Sequence, residues 1–466
     1  MGIARGEPPG GDGQDQHDQG AGDEVEASRH QAGLRARVYS TPTLVASGYA
    51  SRMVLLLAVA CVGQLNLDSS DGSGPPGNDS GVEPIPGDTS EEPEDTGDTG
   101  EEPDGYDFIF GLDKVHTVEI VLSDEAKHAL RMAPKEYVDG AVVVDGEAFE
   151  HVGVRLKGSG SFSDLSGKAA FKIDFNRYDA DQSFHGKGKL TLNNMTHDET
   201  QVHEVVAYAA FAAAGLPAAR VGYAWVTVNE EVYGLYSNVE TADRDYLERN
   251  FGNRDGNLYE GGYPFYPDSW DHADFTSGEV DNFQLETGTD VEWDDLEAVV
   301  RAINAADMEP ALGELVDLDQ YARFQIMESW TGQWDGYAFA SNNFRVYVDH
   351  GGTEKLHMVP TGLDYCFTSY GGSRMVRASS PLGAQCQGDA ACNAHFAEVI
   401  EDTMARVEAA DLDALMLEAE TLTRPYVEDD PRNYIDEKRG LDSSLATMHE
   451  WLATQSEKVG RWYGAE

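Results

Sequence analysis

The sequence predicts an α+β protein with a β-rich amino-terminal lobe carrying one helix and a larger, mostly helical carboxy-terminal lobe. Three observations predict it. Between residues 106 and 240, short apolar runs alternate with polar positions and are divided by turn residues, the pattern of half-buried strands. From residue 241 onward the apolar spacing changes to three and four, the period of helices. With 466 residues at 41% hydrophobic, the chain can build cores for two or three ordinary domains.

Residues 1–52 are polar, Gly- and Asp-rich and without apolar periodicity, so they read as disordered or as an over-long gene start. Residues 53–63 contain the run MVLLLAVACV behind Arg52. Ten residues fall short of the about 20 that span a bilayer, but they suit the apolar part of an export signal. Ala58 and Ala60 before Cys61 resemble a lipobox, although Leu is usual where Ala58 stands. Residues 64–105 are Asp, Glu, Gly, Pro, Ser and Thr with almost no large apolar side chain. They form an acidic, self-repelling linker. Anchor, tether and globular part together predict an extracytoplasmic envelope lipoprotein, or a secreted protein, that touches the membrane only through a lipid at Cys61.

In the predicted first lobe (106–240), HTVEIVLS (116–123) alternates as a strand. GAVVVDGEAFEHVGVRLKG (140–158) reads as a hairpin turning at Asp145-Gly146. AAFKIDFN (169–176) and KLTLNN (189–194) are further strands. Asp198, with Gln201 three residues on, reads as a capping box opening a helix that Gly215 and Pro217 end. YAWVTVN (223–229) and VYGLYSNVE (232–240) make a second hairpin. In the second lobe (241–466), helices are predicted at 241–252, 291–307, 317–334, 394–430 in pieces, and 443–464. The segment 317–334 is the amphipathic, core-forming one. Strands are predicted at 343–349 and 356–364. Cys386 and Cys392 fall in a polar stretch read as a loop, where they can close a small disulfide.

The charge narrows the function. There are 33 Lys and Arg against 84 Asp and Glu, a net of −51. Residues 1–105 contribute −15 of this, which leaves −36 for the remainder. So acidic a chain is no nucleic-acid binder, since that needs a basic footprint. Any anionic ligand must be held by a local basic pocket or by metal ions.

One ordered set of residues meets that need. The strand VRLK, the loop Gly158-Ser159-Gly160-Ser161 and the strand bearing Lys172 offer backbone N–H groups and a point charge to phosphates. Glu204, in the first turns of the following helix, is positioned to pair with the strand lysine. Asp335, then Asn342 and Asn343, then Asp364 follow in the order phosphoryl transfer requires: an acid for the acceptor hydroxyl, and an amide and second acid for a divalent cation.

VGVRLKGSGSF, FKIDFNRYDADQSFHGKGKLTLNN, HEVVAYAAFAAAGLPAARVGYAWVTVNEEVYGLYSNVE, DGNLYEGG, WDGYAFASNNFRVY and PTGLDYCF resemble, in sequence and order, blocks of the CotH family of spore-coat and secreted protein kinases. The resemblance covers about residues 115–370. It implies an atypical, kinase-like two-lobed fold that uses ATP and Mg²⁺ or Mn²⁺ to phosphorylate Ser/Thr of a surface or secreted protein, acting as a monomer. It assigns Lys172 to the phosphates, with Lys157 and Lys168 as alternatives, Arg155, Gly158 and Gly160 as supports, and Glu204 as the pairing acid. It makes Asp335 the catalytic acid and Asp364 with Asn343 (alternatively Asn342) the metal ligands. Family members commonly carry Pro-Trp-Asp-x-Asp where this chain has Pro360-Thr361-Gly362-Leu363-Asp364. The missing Trp and first Asp bring in the rival reading, a non-catalytic adhesin or structural lipoprotein on the same fold.

Overall fold

The computed structural model describes residues 105–264, 271–372, 375–435 and 440–464. The apolar run at 53–62, Cys61 and the acidic linker lie outside the described residues. A short helix α1 (Gly105–Phe110) leads into seven strands: β1 (Val115–Val121), β2 (Val138–Val144), β3 (Glu147–Lys157), β4 (Ala170–Asp174), β5 (Lys189–Asn193), β6 (Val221–Val228) and β7 (Glu231–Val239). They close into a barrel in the order β1-β2-β3-β4-β5-β7-β6, antiparallel except at the β1–β6 seam, which is parallel.

The predicted hairpins form where turn chemistry demands. Asp145 and Gly146 both take positive φ, 49° and 88°, as a two-residue turn matched to strand twist requires. At the second hairpin Asn229 does more than turn: its amide spans Leu122, accepting from Leu122 N and donating to Leu122 O at 3.1 and 2.8 Å. This ties the end of β1 to the β6–β7 turn. Alternation sorts the side chains. Val152, Val154, Leu156, Phe171 and Ile173 fill the barrel, so Arg155, Lys157 and Lys172 point outward on one face, with Arg155 directly opposite Lys172.

Two helices are present in this lobe beyond the one expected. One is α1. The other, α2 (Asp124–Met132), starts at an N-cap, Ser123, whose hydroxyl accepts from Ala126 N. The predicted helix α3 spans His203–Ala213 and so starts five residues after Asp198. Asp198 is not the first residue of a capping box. Its buried carboxylate gathers Thr200 N, Gln201 N and the Thr200 hydroxyl on one oxygen and His203 N on the other. It thus caps α3 across an intervening loop.

The second lobe contains α4 (Arg244–Phe251), β8 (Asn257–Gly261), β9 (Gln284–Thr287), α5 (Asp294–Ile303), α6 (Met308–Gly313), α7 (Leu318–Thr331), α8 (Tyr337–Ala340), β10 (Phe344–Val348) and β11 (Leu356–Pro360). Then come α9 (Pro381–Gly388), α10 (Ala390–Ala409), α11 (Leu412–Asp429) and α12 (Leu441–Tyr463). The four strands form a sheet in the order β11-β10-β8-β9. Helix α7 is the centre of this lobe and is buried around its circumference, not along one face as amphipathy predicts. Its polar residues therefore have internal partners. The Gln320 amide pairs with both the N–H and C=O of Met358 at 2.9 and 2.7 Å. Ser329 shares a hydrogen bond with the Tyr463 hydroxyl at 2.7 Å. Cys386 and Cys392 are disulfide-bonded, but they sit on α9 and α10, not in a loop.

A buried ion pair joins the carboxy-terminal helices to the barrel. Lys168, just before β4, meets Asp430, just after α11, at 2.7 Å, with side chains 1% and 0% exposed. Asp430 also accepts from Leu235 N in β7 and from Arg432 N. Gly234, at φ 101°, makes the room: a Cβ there would lie 2.0 Å from Asp430 Oδ1. Removing one partner leaves the other charge buried, which costs about 3–5 kcal/mol. Lys168→Met should lose that much stability in chemical denaturation. A loss under about 1 kcal/mol would place the pair among inconsequential surface bridges.

Candidate functional site

A cavity of about 550 Å³ lies where the outward face of β3 and β4 meets the β8–β10–β11 face and the loops after α7 and β11. Arg155, Lys157, Gly158, Gly160, Lys172, Asp335, Asn343 and Asp364 all line it. Of the expected residues, Glu204 lies just behind the wall, 2% exposed. Lys168 does not belong to the site, because Asp430 holds it in the barrel interface.

The walls balance charge in an acidic chain. Lys135, Arg155, Lys157, Lys172 and Arg345 line the cavity alongside Glu240, Glu260, Glu286, Asp335 and Asp364. That one-to-one ratio contrasts with 33 to 84 overall, so an anion meets less repulsion here than the chain's overall charge would give.

The strand lysines divide the work differently from the expectation. Glu204 faces Lys157, not Lys172. Its carboxylate accepts from Asn193 Nδ2 at 2.7 Å and from the Ser237 hydroxyl, while Lys157 Nζ donates to Asn193 Oδ1. Burial raises the Glu204 carboxyl and lowers the Lys157 ammonium, and the attraction between them opposes both shifts. Lys172 instead faces Glu286 and Glu260, with Arg155 and Arg345 beside it, and burial pulls it down to about 8. Arg345, opposite Glu260 across β8 and β10, bonds Glu260 at 3.2 Å and the Thr361 hydroxyl at 3.0 Å.

Gly158 follows β3 at φ 99°, and a Cβ there would crowd Ser161 and Phe162. Its carbonyl accepts from Lys135 Nζ at 2.6 Å. Gly160 has open space around it, so a side chain there meets nothing in the protein.

Asp335 sits in the turn after α7. Asn342 Nδ2 donates to its Oδ1 at 3.2 Å and Asn343 Nδ2 to its Oδ2 at 2.9 Å. Burial, offset by these amides, raises its carboxyl above the usual range, which favours a proton acceptor. The turn is held from below by Glu328, 1% exposed, whose two oxygens accept from Tyr337 N and Ala338 N at 2.7 and 2.8 Å. Asp364 occupies a 3-10 turn after β11 and is held by two histidines. His203 Nδ1 donates to its carbonyl at 3.0 Å, and His197 Nδ1 lies 3.5 Å from its Oδ2. His197 and Lys157 keep the Asp364 carboxyl below its ordinary value despite burial.

The cavity thus holds hard oxygen donors, two carboxylates and an amide, with one imidazole beside Asp364. That chemistry fits a hard divalent cation such as Mg²⁺ or Mn²⁺. The two asparagines are distinguishable. The Asn342 carbonyl oxygen accepts from Tyr263 N at 3.0 Å, whereas that of Asn343 faces Gly362. Lys135, His197, Arg345 and Glu328 escaped sequence reading. Only Arg345 had a signal, its place on an alternating strand.

Gly362 stands where the resemblance would place an aspartate, and its backbone is strained for any side chain. It has φ 63°, and a Cβ would lie 2.7 Å from Asn343 Oδ1. Gly362→Asp should therefore destabilise the fold, by about 1–3 kcal/mol for a non-Gly residue held at positive φ, in denaturant titration. Unchanged stability would show that the backbone accepts a carboxylate there. A second expectation concerns pH. Burial raises Glu328 from its ordinary 4.5 to about 8. The folded chain keeps a proton that the unfolded chain has lost, so this group's contribution falls as pH rises from about 4.5 to about 8. Glu328→Gln, though less stable overall, should show a smaller drop in Tm between pH 5 and 8 than the parent. An identical drop would mean Glu328 is ionised in the fold.

Comparison with known proteins bears directly on this geometry. Two relatives from Rhizopus delemar match part of the chain. One, described as spore coat protein homolog 1, is 24% identical over 188 residues. The other, described as invasin CotH7, is 26% identical over 183 residues. Each match covers 38% of this chain and 30% of the relative, so the chain spans under a third of either relative's length. The family model described as CotH kinase protein matches residues 154–458, which run from the cavity-facing end of β3 into α12 and contain every site residue named above except Lys135. The chain belongs to the CotH kinase protein family.

Proposed function

We propose that the chain is an extracytoplasmic protein kinase that transfers the γ-phosphate of ATP to Ser or Thr of a surface or secreted protein. The observation that carries this reading is the convergence in one cavity of Lys157, Lys172, Arg155, Asp335, Asn343 and Asp364, drawn from both lobes. Lys157, Lys172 and Arg155 bind the phosphate chain, with Glu204 and Asn193 holding Lys157 in place. Asp364 and Asn343 hold the divalent cation, which when bound neutralises charge on the phosphates. Asp335 accepts the proton of the acceptor hydroxyl as its oxygen bonds to phosphorus and ADP leaves. The names of the relatives, spore coat protein and invasin, support a surface or extracellular location. A lipid at Cys61 would anchor the chain there.

The invasin name, with the loss of the acid at position 362, favours a second reading: a binding module that retains the cleft without transfer. Calorimetry with ATP and Mg²⁺ or Mn²⁺ separates the two, combined with radiolabel transfer to the protein itself or to a Ser-rich acceptor. Asp364→Ala should abolish metal-dependent ATP binding. Asp335→Asn should bind ATP yet lose transfer by about 10²–10⁴-fold. Absence of nucleotide binding to the parent protein with either cation would leave the binding-module reading.

A further inference from the structure

Asp364 carries an imidazole partner that the phosphoryl-transfer scheme above does not use. His197 lies in the loop between β5 and α3, lines the cavity, and has a side chain 38% exposed. Its ring stacks on Tyr365 with centroids 4.9 Å apart, and its Nδ1 stands 3.5 Å from Asp364 Oδ2. One cation can bridge two donor atoms at that spacing. The loop that carries it is fixed by the four hydrogen bonds to Asp198. At the other side of the site, Gly362 leaves no room for a side chain, since a Cβ there would lie 2.7 Å from Asn343 Oδ1. Position 362 therefore supplies no donor, and position 197 offers a nitrogen.

We propose that His197 is a ligand of the divalent cation beside Asp364, and that the site consequently prefers Mn²⁺ to Mg²⁺. Mg²⁺ is bound by hard oxygen donors and holds its waters tightly. Mn²⁺ also favours oxygen, but as a first-row transition ion it takes an imidazole nitrogen more readily than Mg²⁺ does, so a nitrogen donor beside Asp364 tips the balance toward manganese. The stacking on Tyr365 sets the ring plane, and the hydrogen-bonded Asp198 loop sets its height, so the nitrogen is presented without rearrangement. The inference rests on the nucleotide-and-metal reading of the cavity and deepens it by naming the cation.

The experiment uses the full chain with ADP and either Mn²⁺ or Mg²⁺. Pulsed electron paramagnetic resonance of bound Mn²⁺ should show coupling to an imidazole ¹⁴N, and calorimetry should give a tighter Mn²⁺ than Mg²⁺ complex. In His197→Phe, which keeps an aromatic ring against Tyr365, the ¹⁴N coupling should vanish. Mn²⁺-supported ADP binding should weaken about tenfold, within the range seen when a metal site's supporting residues are removed, and by more than Mg²⁺-supported binding does. His197→Gln should behave the same way, which guards against a folding defect in one variant. ADP binding with no ¹⁴N coupling, or an unchanged Mn²⁺ to Mg²⁺ ratio in both variants, overturns this inference alone. No ADP binding with either cation overturns the proposed function and this inference with it.

Discussion

The Lys168–Asp430 pair ties the strand that presents Lys172 to the end of α11 and to β7. Burying two charges is costly unless each finds a full set of partners. Asp430 does so by accepting from the Lys168 ammonium and from the backbone of β7 and of its own turn. The constraint reaches far, because the partners are 262 residues apart in the chain. Lys168 lies four residues before Lys172, and β7 leads into the segment that crosses to the second lobe. The end of α11 thus fixes the strand that presents Lys172 and the exit of the barrel together. The positive φ of Gly234 belongs to the same lock, since any side chain there would occupy the carboxylate's place.

Within the cavity the governing problem is electrostatic. A chain with net charge −51 repels anions over most of its surface, and the cavity answers by placing cations on strands whose other face is the apolar barrel. Lys157, Arg155 and Lys172 cannot retreat into solvent, because strand alternation holds them between the barrel and the second sheet. Their acidic neighbours do not cancel them uniformly. Glu204 sits behind Lys157 and is raised by burial, whereas Glu260 stays below its ordinary value beside Arg345 and Lys172. Asp364 is likewise kept low by His197 and Lys157. The carboxylates that would hold a cation and the lysines that would hold phosphate are thus neighbours in one low-dielectric space, where their fields count for more than on the surface.

Much of this was legible in the chain, and the reason differs by element. The barrel strands announce themselves by alternation, and Asp145-Gly146 by the φ its turn needs. The order Lys172, Asp335, Asn343, Asp364 picked out residues that the fold gathers in one cavity, with Glu204 just behind it. What stayed hidden was short or distant. β9, of four residues, is too brief for a period to show, and β8 is bracketed by Asp255-Gly256 and Gly261-Gly262, which read as turns. α2 is largely polar, and its one start signal, the Ser123 cap, is too common a residue to mark a helix by itself. The partner of Glu204 was not decidable, because Lys157 and Lys172 share one outward face and only the fold says which one meets α3. His197 touches Asp364 across 167 positions, and no local pattern encodes a contact of that separation.

The pairing of the Gln320 amide with Met358 has a consequence for how this protein meets others. A closed barrel offers no strand edge, so association by adding a strand has to use the second sheet. There, one outer strand is β11, and Gln320 occupies the N–H and C=O of its central residue as a neighbouring strand would. The side chain works as a blocking group that keeps β11 from templating another chain. The other outer strand, β9, is only four residues long and joins the sheet through an irregular register with β8. Among the described residues, the second sheet therefore leaves little edge on which another chain could add a strand.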